Sequence, residues 1–409
     1  IQKLALSFMM GGLALCFASC GSDDDTTFDL PDVGQATTTI NSSDLAMQKT
    51  TKAYVENVVY PTYQALAKNS RELYTSEAFL YGSATDNNID PHIDSWPLDH
   101  NQLVSALTNA SLIEGFKSDT PEKFVSDKNE QFQSVLGFHG MEFVLFREGQ
   151  NRTVDAFKAN ETEEGMTSVK GIDELAFLAA VAGDVKNMTA MLEFTWMGDA
   201  ASNDTKQVLQ DNSYVFSSMR HNGFVASKGT MCYGQYLLTP AQTTGYQSWP
   251  GTINQIFVGG CSNICNEVQE QKLGQAWRVC NNLGGTTEDG EAESKEYIES
   301  PYSHRSFVDY KDNLYSIKNT LYGTRDVNAT SPAANSIMSL LSSLNYPDLS
   351  KLQNALTAAL KSLDDATAAQ GYFKANPGSA AVKNAIDKIK DLDDELNKAG
   401  TWINLQKAQ

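Results

Sequence analysis

The chain has 409 residues, and its 50 acidic and 31 basic side chains give it a formal net charge of −19. A chain of this length can bury a large hydrophobic core and is expected to form two domains. The excess of carboxylates argues against nucleic acid as a partner, because few basic groups are available to neutralise phosphates.

Residues 1–19 have the pattern of a secretory signal peptide. Lys3 is followed by an apolar run that is too short to span a bilayer and that ends in small residues. Because Ala18, Ser19 and Cys20 fit a lipobox, we expect Cys20 to be acylated, although ordinary secretion with a chance cysteine is the alternative. We therefore predict an outer-membrane lipoprotein, facing the periplasm or displayed on the cell surface.

Residues 20–40 follow the predicted cleavage site and are rich in Asp and Thr. This composition predicts a disordered acidic tether, since it offers too little apolar surface to fold. The acidic run directly after Cys20 resembles a surface-display signal of some Gram-negative bacteria, and a solvated spacer is the alternative.

Helical periodicity dominates the remainder of the chain and predicts an all-α protein made of two helical bundles. We expect an N-terminal bundle over residues 41–225 and a C-terminal bundle over residues 226–409. The boundary is placed near 225 because residues 229–260 form the longest stretch without helical periodicity. Residues 255–258 are the strongest candidate for a strand. The five clearest helical repeats begin near Val55, Ile172, Phe307, Leu349 and Val382.

Four cysteines follow the predicted signal peptide and lipobox, namely Cys232, Cys261, Cys265 and Cys280. An even count in an exported protein allows two disulfides, in three alternative pairings, or buried free thiols. A zinc site is disfavoured because the chain contains no C-x-x-C pair.

One segment places an acid and a base on an apolar helical face. Phe132, Val135, His139, Glu142 and Phe146 recur at intervals of three and four residues, which is the spacing of one side of a helix. An imidazole and a carboxylate facing a core are costly unless they are paired or bind a ligand. This segment is therefore the first candidate for a functional site.

Gly137, His139 and Glu142 form a G-x-H-x-x-E motif, and this motif resembles the signature of the imelysin-like family. Residues 76–82, 94–99 and 299–310 resemble further sequence blocks of that family, in the same order. The resemblance implies an all-helical fold of two bundles that look like an ancient duplication. It also implies a site in the cleft between them beside the motif, and a role in iron uptake at the cell envelope.

On this resemblance, His139 and Glu142 are the predicted metal ligands, since imidazole nitrogen and carboxylate oxygen suit iron or zinc. Iron is the expected cargo, with zinc or another divalent cation as an alternative, and an envelope transport partner would receive it. A structural His–Glu pair and direct contact with an organic ligand such as haem remain open. Further ligands or supporting groups are sought in the resembling blocks, at Glu77, Asp94, Asp99, Ser303 and Asp309.

The family is also classed with metallopeptidases, so a metal-dependent peptidase is the alternative function. The zinc-peptidase pattern H-E-x-x-H does not occur in this sequence. His139 and Glu142 could supply two ligands, or one ligand and a base, and the third ligand is unidentified. A Ser303–His304–Asp309 triad lacks a supporting G-x-S-x-G turn. We therefore expect a binding protein rather than an enzyme.

Overall fold

The computed structural model describes residues 42–73, 90–93, 96–119, 121–127, 132, 134–161, 166–211, 232–239, 248–287 and 290–406. The predicted signal peptide and tether, with Cys20, lie outside the described residues. The all-α prediction is confirmed, because helices account for nearly all regular structure and the named strands form a single two-stranded hairpin.

The N-terminal half begins with a long helical segment and ends with a helix that connects both cores. The first segment consists of Ser42–Tyr54, a π-helical turn at Val55–Val59, and Tyr60–Leu73, so the helix continues through Pro61. The remaining elements are Asp90–Ile93, His100–Thr108, Ala110–Phe116, Pro121–Asp127, Gly137–Leu145, the strands Phe146–Arg147 and Gln150–Asn151, Val154–Lys158, Gly171–Met197, a 3-10 turn at Gly198–Ala200, and Asn203–Asp211.

The C-terminal half is also helical and includes two further π-helical segments, Ile256–Ser262 and Glu267–Lys272. Its other elements are Tyr233–Leu238, Trp249–Gln255, Asn263–Asn266, Gly274–Cys280, Ser306–Tyr322, Ile337–Ser343, Leu349–Gln370, a 3-10 turn at Phe373–Ala375, and Ala380–Leu405. The two longest, Leu349–Gln370 and Ala380–Leu405, pack against each other, and the apolar residues of both contribute to one core.

Two sequence predictions fail in the segment that precedes these helices. Residues 255–258 lie in helical rather than extended backbone, because an apolar run of four residues fits a buried helix as well as a strand. The long stretch predicted to lack helices, residues 229–260, includes the helices Tyr233–Leu238 and Trp249–Gln255.

Two apolar cores organise the described residues. The larger core joins Met47–Tyr63 and the second half of the Gly171–Met197 helix to the C-terminal helices. The smaller core contains residues between Leu103 and Val185. Because the N-terminal segment packs with the C-terminal helices, the cores do not follow the predicted boundary near residue 225, and that boundary stays a prediction.

The Gly171–Met197 helix links the two cores, since Phe177–Val185 lies in the smaller core and Met188–Met197 in the larger one. Within the described part of the chain it is the one helix long and apolar enough to span a membrane. Burial inside the fold covers 72% of its apolar window, so its composition suits a core helix as well.

The cysteines form no disulfide among the described residues. Cys232, Cys261 and Cys265 are buried free thiols, and Cys280 is an exposed one. Of the two alternatives left open by the sequence, the structure has free thiols, and burial raises the pKa of the Cys261 thiol to about 12. A buried thiol with a raised pKa remains protonated and unreactive at neutral pH.

Candidate functional site

The G-x-H-x-x-E motif forms a short helix, Gly137–Leu145, which we call the motif helix. The sequence predicted a longer helix that would include Phe132, Val135 and Phe146, and this prediction is wrong. Phe132 and Val135 precede the motif helix, and Phe146 begins the first strand. Phe132 and Val135 are nevertheless buried, so they belong to the core without sharing a helical face with His139.

The two motif glycines explain where the motif helix begins. Gly137 has a φ of 72°, a backbone conformation that is accessible to glycine at low cost. A Cβ atom on Gly140 would stand 2.1 Å from the carbonyl oxygen of Val135. The preceding chain therefore turns back tightly over the motif helix, and both glycines serve this turn rather than a neighbouring helix.

Glu142 connects the motif helix to a segment 160 residues further along the chain. Its Oε1 atom accepts hydrogen bonds from the backbone N–H groups of Tyr302, at 3.2 Å, and of Ser303, at 2.7 Å. Its Oε2 atom lies 3.6 Å from Nδ1 of His139 and accepts no hydrogen bond from the described residues. One oxygen is thus fixed by backbone donors, and the other is buried beside the imidazole without a hydrogen bond from the described residues.

His139 is held in a nearly closed position, with only 8% of its surface exposed. Its ring packs against the indole of Trp96, at a centroid distance of 4.8 Å and a tilt of 56°. Trp96 belongs to one of the blocks that resemble the imelysin-like family. The contact restricts the orientation of the imidazole and therefore presents it to Glu142.

The segment that contacts Glu142 is a turn over residues 299–305, which we call the site turn. Ser300 and His304 both have positive φ, at 50° and 59°, although neither is glycine. Such backbone conformations cost about 1–3 kcal/mol each and are concentrated at functional sites. His304 is further fixed by stacking on Tyr372, with 4.0 Å between ring centroids and 4° between planes.

Asp309 lies in the first turn of the next helix, Ser306–Tyr322, which we call the cavity helix. The Oγ atom of Ser300 donates to Oδ2 of Asp309 at 2.5 Å. Burial raises the pKa of Asp309 to about 6, and the nearby Glu142 carboxylate acts in the same direction. The Ser300 hydrogen bond and the charges of His139 and Arg305 oppose this rise. Asp309 therefore stands within electrostatic reach of both motif side chains.

A cavity of about 630 Å³ lies between the motif helix, the cavity helix and the N-terminal helical segment. Its volume is in the range of small-molecule sites. Both signs of charge are present, and Arg305 and Arg325 are exposed. The lining residues are Val58, Thr62, Leu66, Phe138, His139, Glu142, Phe146, Lys272, Glu299, Ser300, Ser303, Arg305, Asp309, Asp312, Asn313, Tyr315, Ser316, Asn319, Arg325 and Val327.

A buried ion pair lies in the cavity wall. The Nζ atom of Lys272 donates to Oε2 of Glu299 at 2.7 Å and to Oδ1 of Asn313 at 3.2 Å. Lys272 is 1% exposed and ends one of the π-helical segments, and Val58 lines the cavity from another. π-Helical turns shift side chains out of the regular helical register and are frequent at functional sites.

Of the predicted site residues, the structure brings four together at the cavity: His139, Glu142, Ser303 and Asp309. Asp99 does not line the cavity, since its side chain caps the His100–Thr108 helix by accepting from the N–H of Gln102 at 3.0 Å. Glu77 and Asp94 lie outside the described residues.

The donor atoms at the cavity do not form a finished metal centre. In the described ranges, no three His, Cys, Asp or Glu side chains converge closely enough to hold one ion. His139 and Glu142 are adjacent and Asp309 is near them, so an ion would bind with a rearrangement of the Asp309 side chain or with ligands of its own.

Sequence reasoning assigned no role to five charged residues at the cavity, namely Lys272, Glu299, Arg305, Asp312 and Arg325. Arg305 lies within a block that resembles the family and Asp312 lies two residues after it, but no role was predicted for either. Nothing in the sequence around Lys272 indicates that it faces the cavity, because its position depends on the π-helical segment that precedes it.

A model of the imelysin family, which is also designated peptidase M75, matches residues 35–399. The chain belongs to the imelysin family. The imelysin fold is shared by a crystal structure from Parabacteroides distasonis, which carries the designation iron-regulated protein A precursor. The two chains are 22% identical with a TM-score of 0.58, over 88% of this chain and 95% of the other. No curated protein matches the chain by sequence.

Proposed function

We propose that this imelysin-family protein binds iron as a cargo at the cavity, through His139, Glu142 and Asp309. One observation carries the proposal: three side chains that can bind iron, from two segments about 160 residues apart, line one cavity. Imidazole nitrogen and carboxylate oxygen are ligands that iron accepts. The iron-regulated designation of the structural neighbour agrees with this cargo.

The hydrogen bonds of the two carboxylates support their role as metal ligands. Oε2 of Glu142 accepts no hydrogen bond from the described residues, so an ion would meet a carboxylate oxygen without displacing a donor. Oε1 of the same carboxylate remains fixed by two backbone N–H groups. The hydrogen bond from Ser300 similarly holds one oxygen of Asp309 and leaves the other for a ligand role. Carboxylates that are already held in place in this way lower the entropic cost of binding a metal ion.

The proposal is tested by titrating the chelator-treated protein with Fe(II) under anaerobic conditions and measuring bound iron. We expect the parent protein to bind iron, and His139→Ala and Glu142→Gln each to lose most of that binding. Asp365→Asn is the matched control, because Asp365 is exposed on another helix and pairs with Lys361. Equal iron binding by the parent and both site variants would show that the site is elsewhere.

Peptidase activity is the alternative function, because the family is also designated peptidase M75. A hydrolase needs an open metal position for water and a base that activates it. Digestion of casein or insulin by the purified protein tests this alternative. Proteolysis that needs added metal and disappears in the double variant His139→Ala, Glu142→Ala would replace the binding proposal with the enzymatic one.

We further propose that the protein is an outer-membrane lipoprotein anchored through Cys20 and that it passes iron to an envelope transport partner. The support is the lipobox-like Ala18, Ser19 and Cys20 after a short apolar run. Two or more acyl chains provide stable anchoring, whereas a single chain gives only weak binding. Cys20→Ala should move the protein from the membrane to the soluble fraction, and unchanged membrane association would refute the anchor.

A further inference from the structure

We infer that the cargo is not a bare ion but an anionic iron chelate whose ligands are small carboxylates, and that Arg305 recognises those carboxylates. This inference rests on the proposed function, since it assigns the chemical class of the cargo at the same site. It begins from the size of the cavity. About 630 Å³ is available, whereas one water-sized occupant needs only about 30 Å³.

The charge at the cavity also differs from that of a site for a bare cation. The cavity is lined by the carboxylates of Glu142, Glu299, Asp309 and Asp312 and also by three basic residues, namely Lys272, Arg305 and Arg325. A basic group beside a proposed cation site repels the bare ion. The same group attracts a complex in which carboxylate ligands have reversed the net charge of the metal.

The three basic residues are not equivalent. Lys272 is buried and bonded to Glu299 and Asn313, so its charge is already compensated. One guanidinium nitrogen of Arg325 donates to the carbonyl oxygen of Pro61 at 2.8 Å. Arg305 is exposed, and its charge acts on the carboxylates of Asp309 and Asp312 without a hydrogen bond to either. Of the three, Arg305 has the guanidinium that is available to a ligand.

Arg305 also lies at the end of the cavity where Asp309 is placed. It directly precedes the cavity helix, and its charge acts on the carboxylates of Asp309 and Asp312. Arg325 follows the other end of that helix, whose 17 residues span roughly 25 Å. A complex of a few carboxylates that reaches the His139–Glu142 pair can therefore contact Arg305 but not Arg325.

The chemistry of recognition follows from this arrangement. The planar guanidinium of Arg305 donates two parallel hydrogen bonds to a carboxylate, a geometry that a lysine ammonium does not reproduce. His139, Glu142 and Asp309 then occupy coordination positions that the chelator leaves to water. The oxidation state of the iron and the covalent bonds of the chelator stay unchanged, since protein ligands only replace metal-bound water.

The experiment compares two probes on the full chain: Fe(III) presented with excess citrate, and Fe(II) alone under anaerobic conditions. We expect the parent to bind the ferric citrate complex more tightly than Fe(II). Arg305→Gln should weaken binding of the citrate complex by about tenfold or more, because two charge-assisted hydrogen bonds are lost. The affinity of the same variant for Fe(II) should be unchanged or higher, since a repelling charge is removed.

Two further variants and one further probe give the comparison its controls. Arg305→Lys keeps the charge but loses the planar fork, so it should fall between the parent and Arg305→Gln. Arg325→Gln removes a guanidinium from the same cavity beyond the reach of the complex, and it should leave both affinities unchanged. Citrate without iron should compete only weakly, because it lacks the metal that the three donors bind.

The outcomes separate this inference from the proposed function. If the parent binds Fe(II) but not the citrate complex, or if Arg305→Gln weakens both probes equally, the chelate inference is wrong and iron binding stands. If the parent binds neither probe, the proposed function fails. Haemin that binds more tightly than the citrate complex, independently of Arg305, would also overturn the inference in favour of an organic macrocycle.

Discussion

The His92–Asp184 pair and the His139–Glu142 pair join the same two chemical groups in different environments. Nδ1 of His92 lies 2.6 Å from Oδ2 of Asp184, and both residues have 0% exposure. Nδ1 of His139 lies 3.6 Å from Oε2 of Glu142, at the wall of the cavity. The first pair is a closed hydrogen bond inside the protein, whereas the second is a longer contact that borders open space.

The surroundings of the two pairs also differ, since only the His139–Glu142 pair lines the cavity. Asp184 lies within the long Gly171–Met197 helix and does not border the cavity, so its carboxylate serves the packing of the interior. Glu142 lies beside a turn with two non-glycine residues at positive φ. The His92–Asp184 pair has the shorter distance and no exposure, whereas the His139–Glu142 pair is longer and lines the cavity. Substitutions in the His92–Asp184 pair should therefore lower stability more than iron binding. Substitutions in the His139–Glu142 pair should lower iron binding more than stability.

The largest loss of stability is expected from Asp184→Ala. Breaking a fully buried pair of polar side chains costs about 3–5 kcal/mol, because the hydrogen bond to His92 is lost where water cannot replace it. Urea denaturation followed by circular dichroism measures this loss, and the folded fraction should still bind iron like the parent. A variant as stable as the parent would show that the His92–Asp184 contact is not a supporting interaction.

Glu142→Ala should destabilise the protein by about 2–4 kcal/mol, since two partly buried backbone N–H groups lose their acceptor. Glu142→Gln is the matched variant, because its amide oxygen can still accept from Tyr302 and Ser303. We expect Gln to restore most of the stability without restoring iron binding. If Gln restores both, the negative charge of Glu142 is not needed for the cargo.

Asp309→Asn should stabilise the metal-free protein, in contrast to the two preceding substitutions. Because the folded pKa is raised to about 6, the stability contribution of this carboxyl is fully present below about pH 4. It is lost as the pH rises to about 6, and the loss is at most about 3 kcal/mol. The variant should exceed the parent in stability at pH 7.5 and equal it near pH 3.5, as measured by urea denaturation with chelator present.

A result with the same stability difference at both pH values would show that Asp309 titrates normally. The matched control is Asp365→Asn, which changes an exposed carboxylate and should show no such pH dependence. Iron binding by Asp309→Asn should fall even though its metal-free fold is more stable. Such a separation of stability from binding is the behaviour expected of a functional carboxylate.

His139→Ala is expected to have the smallest effect on stability, about 1–2 kcal/mol, because Glu142 keeps its two backbone donors. The ring contact with Trp96 accounts for part of this loss. Thermal melts of the metal-free protein measure it, and iron titration of the same sample should show the large effect. A loss as great as that of Asp184→Ala would contradict the distinction between the two pairs.

The sequence was sufficient where one strong periodicity governs a long segment. The helical repeats predicted to begin near Ile172 and Leu349 are observed as the helices Gly171–Met197 and Leu349–Gln370. It was insufficient near the motif, because the spacing of Phe132 and Val135 fits a helix that Gly137 interrupts with its positive φ. Periodicity describes the side chains of a face and does not detect such a backbone turn.

The candidate site was predicted in part for a similar reason. His139, Glu142 and Asp309 belong to recognisable blocks of the family, and the structure places them together. Asp99 belongs to such a block as well, yet it caps a helix, since Asp is equally suited to that local role. Arg305 could not be assigned in advance, because its importance depends on the space and charge around it in three dimensions.

The hydrogen bonds from Tyr302 and Ser303 to Glu142 have a consequence for the order of biosynthesis. A ribosome completes the motif helix about 160 residues before it reaches those donors, so the nascent carboxylate first exists without them. At typical translation rates of about 5–20 residues per second, this interval lasts roughly 10–30 s. The cavity thus needs both halves of the chain, and a chain truncated before residue 302 would contain the motif without the donors that hold Glu142.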